Sequence, residues 1–322
     1  MNDLLLRVSA APQALDQIVA SGDERFTAVF IELIRAYQIG LLPGSLTSED
    51  YYQAIVELTG ESPAPNWFEL IEWYGQTDLD PPPGFTGWKG QLLSRIDPRF
   101  TLFLKDDHPS NIRVEEIQWG GVAVDGIPAL DQPAMITADE AGYLEPENIV
   151  FGIELNGDTR AYPKRILDWH EMANDRIGGV PVSLAYCTLC GAAVAFDGRG
   201  PEGVDYDFGS AGFLFRSNKL MYDRQTKTLW NQLTGEPVLG ELVDSDIQLD
   251  ILPVVLTTWE EWRAAHPDTL VADIETGFDR DYRPGAAYGD YFAYEDTMFP
   301  VWQRSDLLQA QDQIYAVRIK DV

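Results

Sequence analysis

The amino-acid sequence predicts an α+β protein, in which an all-α N-terminal module precedes a β-rich, mainly antiparallel domain with short helices. In the first part of the chain, apolar residues recur at three- and four-residue spacing, which is typical of amphipathic helices. From about residue 111, short apolar runs alternate with turn residues, which is typical of strands joined by tight turns. We therefore predict a helical module over residues 1–98 and a β-rich domain over residues 99–322.

The N-terminal module contains signals for four or five short helices. Pro12 begins a first apolar-periodic stretch, and a second one spans residues 26–37. Thr47 is followed three residues later by Asp50, which is a capping-box pattern, and Asn66 can cap the next segment. These signals predict a small helical bundle or a helical-repeat-like module, whose aromatic side chains form its core.

A hairpin is the clearest element of the β-rich part. Residues 148–155 form an apolar run, and the chain returns as a second strand over residues 159–162. Asn156 and Gly157 lie between the two, and this pair readily takes the positive φ values that a type I′ turn requires. The sequence therefore predicts two antiparallel strands that are joined at this pair.

Three further elements are expected in the β-rich part. Residues 168–175 have helical character, and a helix here would place His170 and Asn174 on one face. A short helix is predicted over residues 257–266, where a threonine can cap its start and a proline ends it. The pattern of residues 314–319 predicts a final strand.

The composition limits the classes of partner. The chain has 52 acidic and 23 basic residues among 322, and its net charge of −29 repels nucleic acid and anionic lipid. No stretch reaches the ~18 apolar residues of a membrane helix. The first residues lack a basic region and a long apolar run, so we expect no signal peptide and a cytoplasmic location. A Cys-x-x-Cys pair would rest reduced or metal-bound there.

The chain has only two cysteines, Cys187 and Cys190, which form a Cys-x-x-Cys pair. His170, one of three histidines, precedes them and has Glu171 beside it. Two thiolates and one imidazole suit soft and borderline metal ions and leave one position open for a substrate. We therefore predict that Cys187, Cys190 and His170 bind a metal ion, with copper favoured over zinc or iron. Glu171 is expected to act as a base or to support a metal ligand.

Two metal-dependent functions are compatible with this group. The first is an oxidoreductase that acts on a small substrate, with Cys187, Cys190, His170 and Glu171 as its catalytic residues. The second is a metal carrier or sensor without chemistry of its own, which docks on a partner protein through the helical module. Either of the other two histidines, at positions 108 and 266, could supply a fourth ligand.

The third function is thiol–disulfide exchange. In this interpretation Cys187 is the more exposed, attacking thiol, and His170 favours its thiolate form. The apolar, β-prone run after Cys190 does not resemble the helix that follows such a pair in thioredoxin-like proteins. The simplest alternative is that both cysteines are small residues of the core.

Four segments of the β-rich part carry a specific pattern: 168–175 (DWHEMAND), 186–193 (YCTLCGAA), 217–232 and 259–269. Together they resemble a family that is known only as domain of unknown function 3179. The resemblance covers about residues 111–320, and the helical module lies outside it. It implies membership of the family but no established activity.

Arg216, Asn218 and Asp223 lie in or beside the third of these segments. We predict that these three side chains line a pocket and bind the substrate. Asparagine and aspartate also favour turns, so turn formation at the edge of a sheet is the alternative.

Overall fold

The computed structural model of the chain describes residues 11–42, 45–301 and 305–315. The N-terminal part is helical, as the sequence predicts. Its described residues form the α-helices α1 (Pro12–Ser21), α2 (Thr27–Gln38), α3 (Ser48–Thr59), α4 (Trp67–Gly75) and α5 (Phe85–Leu93).

The predicted caps of the helical module are confirmed. Thr47 and Asp50 form a reciprocal capping box at the start of α3, so that each side chain satisfies a backbone N–H of the other. The side chain of Asn66 accepts a hydrogen bond from the Glu69 N–H at the start of α4. Gly60 ends α3 with φ of 71°, a conformation that glycine adopts at little cost.

In the remainder of the described chain, the strands form three five-stranded sheets. The first sheet has the order β1 (Ile117–Trp119), β9 (Phe208–Phe215), β10 (Asn218–Asp223), β11 (Leu229–Asn231) and β12 (Pro237–Leu239). The middle sheet has the order β13 (Ile251–Leu252), β8 (Ala192–Asp197), β7 (Val180–Cys187), β6 (Met172–Ile177) and β2 (Leu130–Asp131). The third sheet has the order β14 (Val255–Thr258), β4 (Ile149–Leu155), β5 (Asp158–Pro163), β15 (Leu270–Ala272) and β3 (Met135–Thr137).

The sheets are mainly antiparallel, since only the pairs β2–β6 and β5–β15 are parallel among the described strands. Two short helices, α6 (Lys164–His170) and α7 (Trp259–Ala265), lie between strands. Asn156 and Gly157 have φ of 52° and 82° and join β4 to β5. The α+β fold class, the hairpin and the short helix near residue 260 are therefore confirmed.

Packing of the sheets places β7 in the interior. One cluster of buried side chains joins the middle sheet to the first, and it includes Met172, Ala185 and Met221. A second cluster joins the other face of the middle sheet to the third, and it includes Phe151 and Leu184. The middle sheet is thus covered on both faces, and residues at the end of β7 lie deep in the molecule.

The prediction of a helix over residues 168–175 is wrong in its second half. Helix α6 ends at His170, and Glu171 takes the left-handed conformation with φ of 52°. The chain then continues as β6, in which Asn174 pairs with Ser183 of β7. Asn174 also exchanges hydrogen bonds with the backbone of Phe208, so tertiary pairing outweighs the local helical tendency.

The helical module packs directly on the first sheet. Lys89 of α5 is fully buried and donates hydrogen bonds to Glu32 Oε1 over 2.6 Å and to the carbonyl of Ile117 over 2.5 Å. Leu214 of β9 belongs to the same apolar cluster as the helices. The hydrogen bond from Lys89 to Ile117 and the apolar contacts of Leu214 therefore cross the predicted boundary between the two parts.

Two remaining findings concern the ends and the surface of the described chain. Of the strand predicted at residues 314–319, residues 316–319 lie outside the described residues, and Ile314 and Tyr315 are exposed without regular structure. Within the described residues, none of the helices has the length and apolar character that crossing a membrane requires.

Candidate functional site

The two cysteines form a disulfide at the end of the central strand β7. Cys187 is the last residue of β7, and residues Thr188–Cys190 form a single 3₁₀ turn. Gly191 then takes φ of 62°, and β8 begins at Ala192. The Cα atoms of the two cysteines are 5.3 Å apart. The pair is oxidised in the structure, whereas the sequence analysis expected it to be reduced or metal-bound.

The exposure of the two cysteines is the reverse of the prediction. Cys187 is 1% exposed, because it belongs to a strand with neighbours on both sides. Cys190 is exposed, because it ends the turn. The expectation that Cys187 is the more accessible thiol is therefore wrong. The pair is followed by strand β8 and not by a helix, as the sequence predicts.

Asn218, one of the three residues predicted to bind substrate, contacts the disulfide. Its side-chain amide donates a hydrogen bond to Cys190 Sγ over 3.3 Å and a second one to Gln232 Oε1 over 3.0 Å. Gln232 in turn donates to the carbonyls of Ala185 and Ala192, on the two strands that flank the turn. The buried Gln232 thereby holds the Asn218 amide against the exposed sulfur.

Arg216 lies in the turn between β9 and β10, together with Ser217. Both residues have positive φ, 50° and 62°, and Arg216 Nε donates to Glu116 Oε2 over 2.7 Å. This ion pair ties the turn to the segment before β1. Its geometry corresponds to the turn-forming alternative that the sequence analysis kept open for this group of residues.

Asp223 is fully buried at the end of β10. Its carboxylate accepts hydrogen bonds from the backbone N–H groups of Thr226 and Thr228 over 2.5 and 3.2 Å. It also accepts one from the indole of Trp230 over 2.9 Å. The carboxylate organises the turn that leads into β11, and this arrangement again favours the turn-forming alternative.

His170 is fully buried, and both of its ring nitrogens have protein partners. Nδ1 lies 2.8 Å from the carbonyl of Pro128, so it must carry the proton. Nε2 lies 2.6 Å from the hydroxyl of Tyr282, which in turn lies 2.5 Å from the hydroxyl of Thr276. Burial lowers the pKa of His170, which favours the neutral ring that accepts from Tyr282.

The structure does not gather a metal-binding group within the residues it describes. No three His, Cys, Asp or Glu side chains of the described chain are placed to hold an ion together. The ring of His266 stacks on Trp262, with centroids 4.0 Å apart, and His108 Nδ1 lies 2.9 Å from the carbonyl of Phe103. The predicted set of His170, Cys187 and Cys190 thus has its polar atoms engaged elsewhere or in the disulfide.

Glu171 belongs to a buried polar cluster that includes two residues the sequence analysis missed. Lys219 Nζ lies 3.2 Å from Glu171 Oε2 and donates to the Glu171 carbonyl over 3.1 Å. The hydroxyl of Tyr288 donates to Glu171 Oε1 over 3.0 Å. Burial lowers the pKa of Lys219, while the Glu171 carboxylate acts in the opposite direction. A lysine directly before the apolar run of residues 220–222 in β10 was the one available signal in the sequence.

A second ion pair lies beside this cluster. Lys164 Nζ is 2.8 Å from Asp168 Oδ1, and burial raises the pKa of Asp168 despite this contact. The hydroxyl of Tyr186 and that of Thr188 are buried beside these groups. Polar groups therefore surround the end of β7 on the residues before and after Cys187.

Tyr291 and Gln313, from the C-terminal part of the described chain, lie against the disulfide turn. The hydroxyl of Tyr291 donates to the carbonyl of Leu189 over 3.3 Å. Gln313 lies against Gly191, where an added Cβ would be 2.9 Å from Nε2 of this glutamine. Cys190 nevertheless keeps an exposed surface, so a reactant can reach its sulfur from solvent.

The fold and the site define an α+β protein that carries one Cys-x-x-Cys disulfide at the end of a buried strand. The chain belongs to the family described as Protein of unknown function (DUF3179), whose family model matches residues 124–322. This confirms the resemblance found in the sequence, and the helical module again lies outside the match. Comparison with curated proteins and with solved structures gave no match.

Proposed function

We propose that the protein is a thiol–disulfide oxidoreductase whose reactive pair is Cys187–Cys190. The observation that carries the proposal is the unequal exposure of the two disulfide-bonded cysteines, with Cys190 at the surface and Cys187 buried. An exposed sulfur can form a bond with a substrate, and a buried neighbour can resolve that bond without meeting solvent.

The exchange proceeds through one mixed disulfide between the substrate and Cys190. A substrate thiolate attacks Cys190 Sγ, which forms a substrate–Cys190 disulfide and breaks the bond to Cys187, leaving Cys187 as a thiolate. A second thiolate of the substrate then attacks the substrate sulfur of the mixed disulfide and releases Cys190 as a thiolate. Two electrons pass from the substrate dithiol to the protein, and the direction depends on the two reduction potentials.

Asn218 supports the second step. Its amide donates a hydrogen bond to Cys190 Sγ, and a bond of this kind is stronger when the acceptor is charged. The amide therefore favours Cys190 as the thiolate that leaves the mixed disulfide. In this proposal Asn218 contacts the reacting sulfur of Cys190. The sequence instead predicts that Asn218 contacts the substrate.

The metal-dependent functions stay predictions. A copper, zinc or iron ion on Cys187, Cys190 and His170 would require reduction of the disulfide and release of the His170 ring from its present partners. The cytoplasmic location and the docking of a partner on the helical module also stay predictions. A reversible disulfide is compatible with a reducing compartment when it forms transiently during turnover.

The proposal is tested by equilibrating the protein in buffers of defined thiol–disulfide ratio and counting free thiols. We expect two thiols that appear and disappear together with one midpoint. The Cys187→Ser variant should accumulate a mixed disulfide at Cys190 with a small disulfide probe, whereas Cys190→Ser should react much more slowly through its buried thiol.

Two results would overturn the proposal. One is a disulfide that stays oxidised across the whole range of buffers. The other is a reduced protein that holds about one equivalent of metal, with loss of the metal in the His170→Ala variant, since this outcome would favour the metal site.

A further inference from the structure

Lys219 lies between the first sheet and the middle sheet, toward the end of β7 that carries Cys187. Alternate residues of a strand share a face, so Cys187 and Ala185 lie on the same side of β7. Ala185 packs with Met172 and with Met221 of the first sheet. Lys219 of β10 contacts Glu171, which directly precedes β6 of the middle sheet, so its side chain lies in the same interface.

The hydrogen bonds of Lys219 locate its ammonium group along β7. The Glu171 carbonyl accepts from Lys219 Nζ over 3.1 Å and also from the backbone N–H of Tyr186 over 2.9 Å. Tyr186 directly precedes Cys187. One carbonyl thus links the ammonium to the residue before the buried cysteine.

The pair of Lys219 and Glu171 is costly to bury, since their side chains are only 3% and 7% exposed. Apolar residues of similar size would pack the same space without that cost. A buried charge also acts strongly on its neighbours, because little water screens it. Reduction of the disulfide creates a new charge in this interface when Cys187 becomes a thiolate.

Other charged groups near the end of β7 act from different directions. The Lys164–Asp168 ion pair lies near Tyr186, whose side chain is on the opposite face of the strand from Cys187. Asp125 acts on Lys219 from the first-sheet side and favours its charged form. Tyr288 binds the carboxylate of Glu171 and holds it next to Lys219.

We propose that Lys219 and Glu171 set the reduction potential of the Cys187–Cys190 disulfide, an inference that rests on the proposed exchange function. Lys219 stabilises the reduced form, in which Cys187 carries negative charge, and so makes the pair a stronger oxidant. Glu171 opposes this effect and orients the ammonium. Both are positioning residues, because neither touches the substrate.

The experiment measures the equilibrium constant between the protein and glutathione at one pH. We expect Lys219→Met to favour the oxidised protein by about tenfold, which equals about 30 mV for a two-electron couple. Glu171→Gln should shift the constant in the opposite direction, and Lys219→Arg should restore it. Lys164→Met is the matched control, since it removes a lysine from the opposite face of the strand.

An electrostatic effect shifts the equilibrium constant in opposite directions for Lys219→Met and Glu171→Gln. A loss of packing would not reverse its direction between these two substitutions. Glu171→Gln keeps the size of the side chain. The equilibrium constant of this variant therefore still decides the test if Lys219→Met does not fold. Shifts no larger than that of Lys164→Met would overturn the inference while leaving the exchange function intact. A wild-type pair that does not cycle at all would overturn both.

Discussion

The side-chain amide of Asn218 lies 3.3 Å from Cys190 Sγ and is held there by a 3.0 Å hydrogen bond to Gln232. The two residues that meet at this contact come from different sheets, since β10 belongs to the first sheet and Cys190 follows β7 of the middle sheet. The exposed sulfur of the disulfide therefore has a fixed hydrogen-bond donor, which the hairpin at Arg216 and Ser217 delivers.

Replacement of Asn218 by alanine should slow the reaction of Cys190. In a Cys187→Ser background, only Cys190 can be alkylated, and loss of the amide removes a donor to its thiolate. We expect the alkylation rate at neutral pH to fall roughly threefold, which corresponds to about 0.7 kcal/mol. Gln248→Ala, which removes an exposed amide elsewhere, should leave the rate unchanged. Equal alkylation rates for Cys187→Ser alone and for the same protein with Asn218→Ala or Gln248→Ala added would contradict the contact between Asn218 and Cys190.

Gly152 of β4 should not tolerate a side chain. A Cβ at this position would lie 2.3 Å from the ring of Trp262, which α7 packs on the strand. We expect Gly152→Ala to lower the free energy of unfolding by about 1–3 kcal/mol in urea denaturation. Gly142→Ala is the control, because nothing lies within 4 Å of its added Cβ, and it should be close to neutral. Similar midpoints for the two variants would contradict the close packing of α7.

Asp223 should matter for stability and not for the exchange reaction. Asp223→Ala leaves the buried Trp230 indole without its acceptor and removes one of the two acceptors of the Thr228 N–H, so we expect the free energy of unfolding to fall by about 3 kcal/mol. The folded fraction should retain the exchange rate of the wild type. Asp244→Ala, at an exposed turn, is the control. A variant of normal stability that has lost exchange would favour substrate binding by Asp223.

His170 should make the protein less stable in mild acid. Burial lowers its pKa below the ordinary value of 6.5, so the unfolded chain takes up a proton before the folded one does. The stability that the neutral ring contributes is present above pH 6.5 and is lost as the pH falls toward the pKa of the folded state. Urea denaturation between pH 8 and 5.5 should show that the free energy of unfolding falls more steeply with decreasing pH for the wild type than for His170→Asn. Parallel pH profiles of the free energy of unfolding for the two proteins would contradict the lowered pKa of His170.

Local interactions account for what the sequence determined by itself. The caps at Thr47 and Asn66 and the turn at Asn156 depend on residues within three positions of each other, so their patterns suffice. The chain's only two cysteines, three positions apart, marked the disulfide site, and the neighbouring motifs showed the family. The α+β order followed from the change of apolar spacing along the chain.

Tertiary structure alone decided the rest, because the partners concerned are far apart in sequence. Strand β6 replaces the expected end of a helix because β7 and Phe208 supply its hydrogen bonds. Burial of Cys187 follows from the position of β7 between two other sheets, which periodicity does not reveal. Lys219 meets Glu171 across 48 positions, and only the packing of the first sheet on the middle sheet brings this ion pair to the end of β7 that carries Cys187.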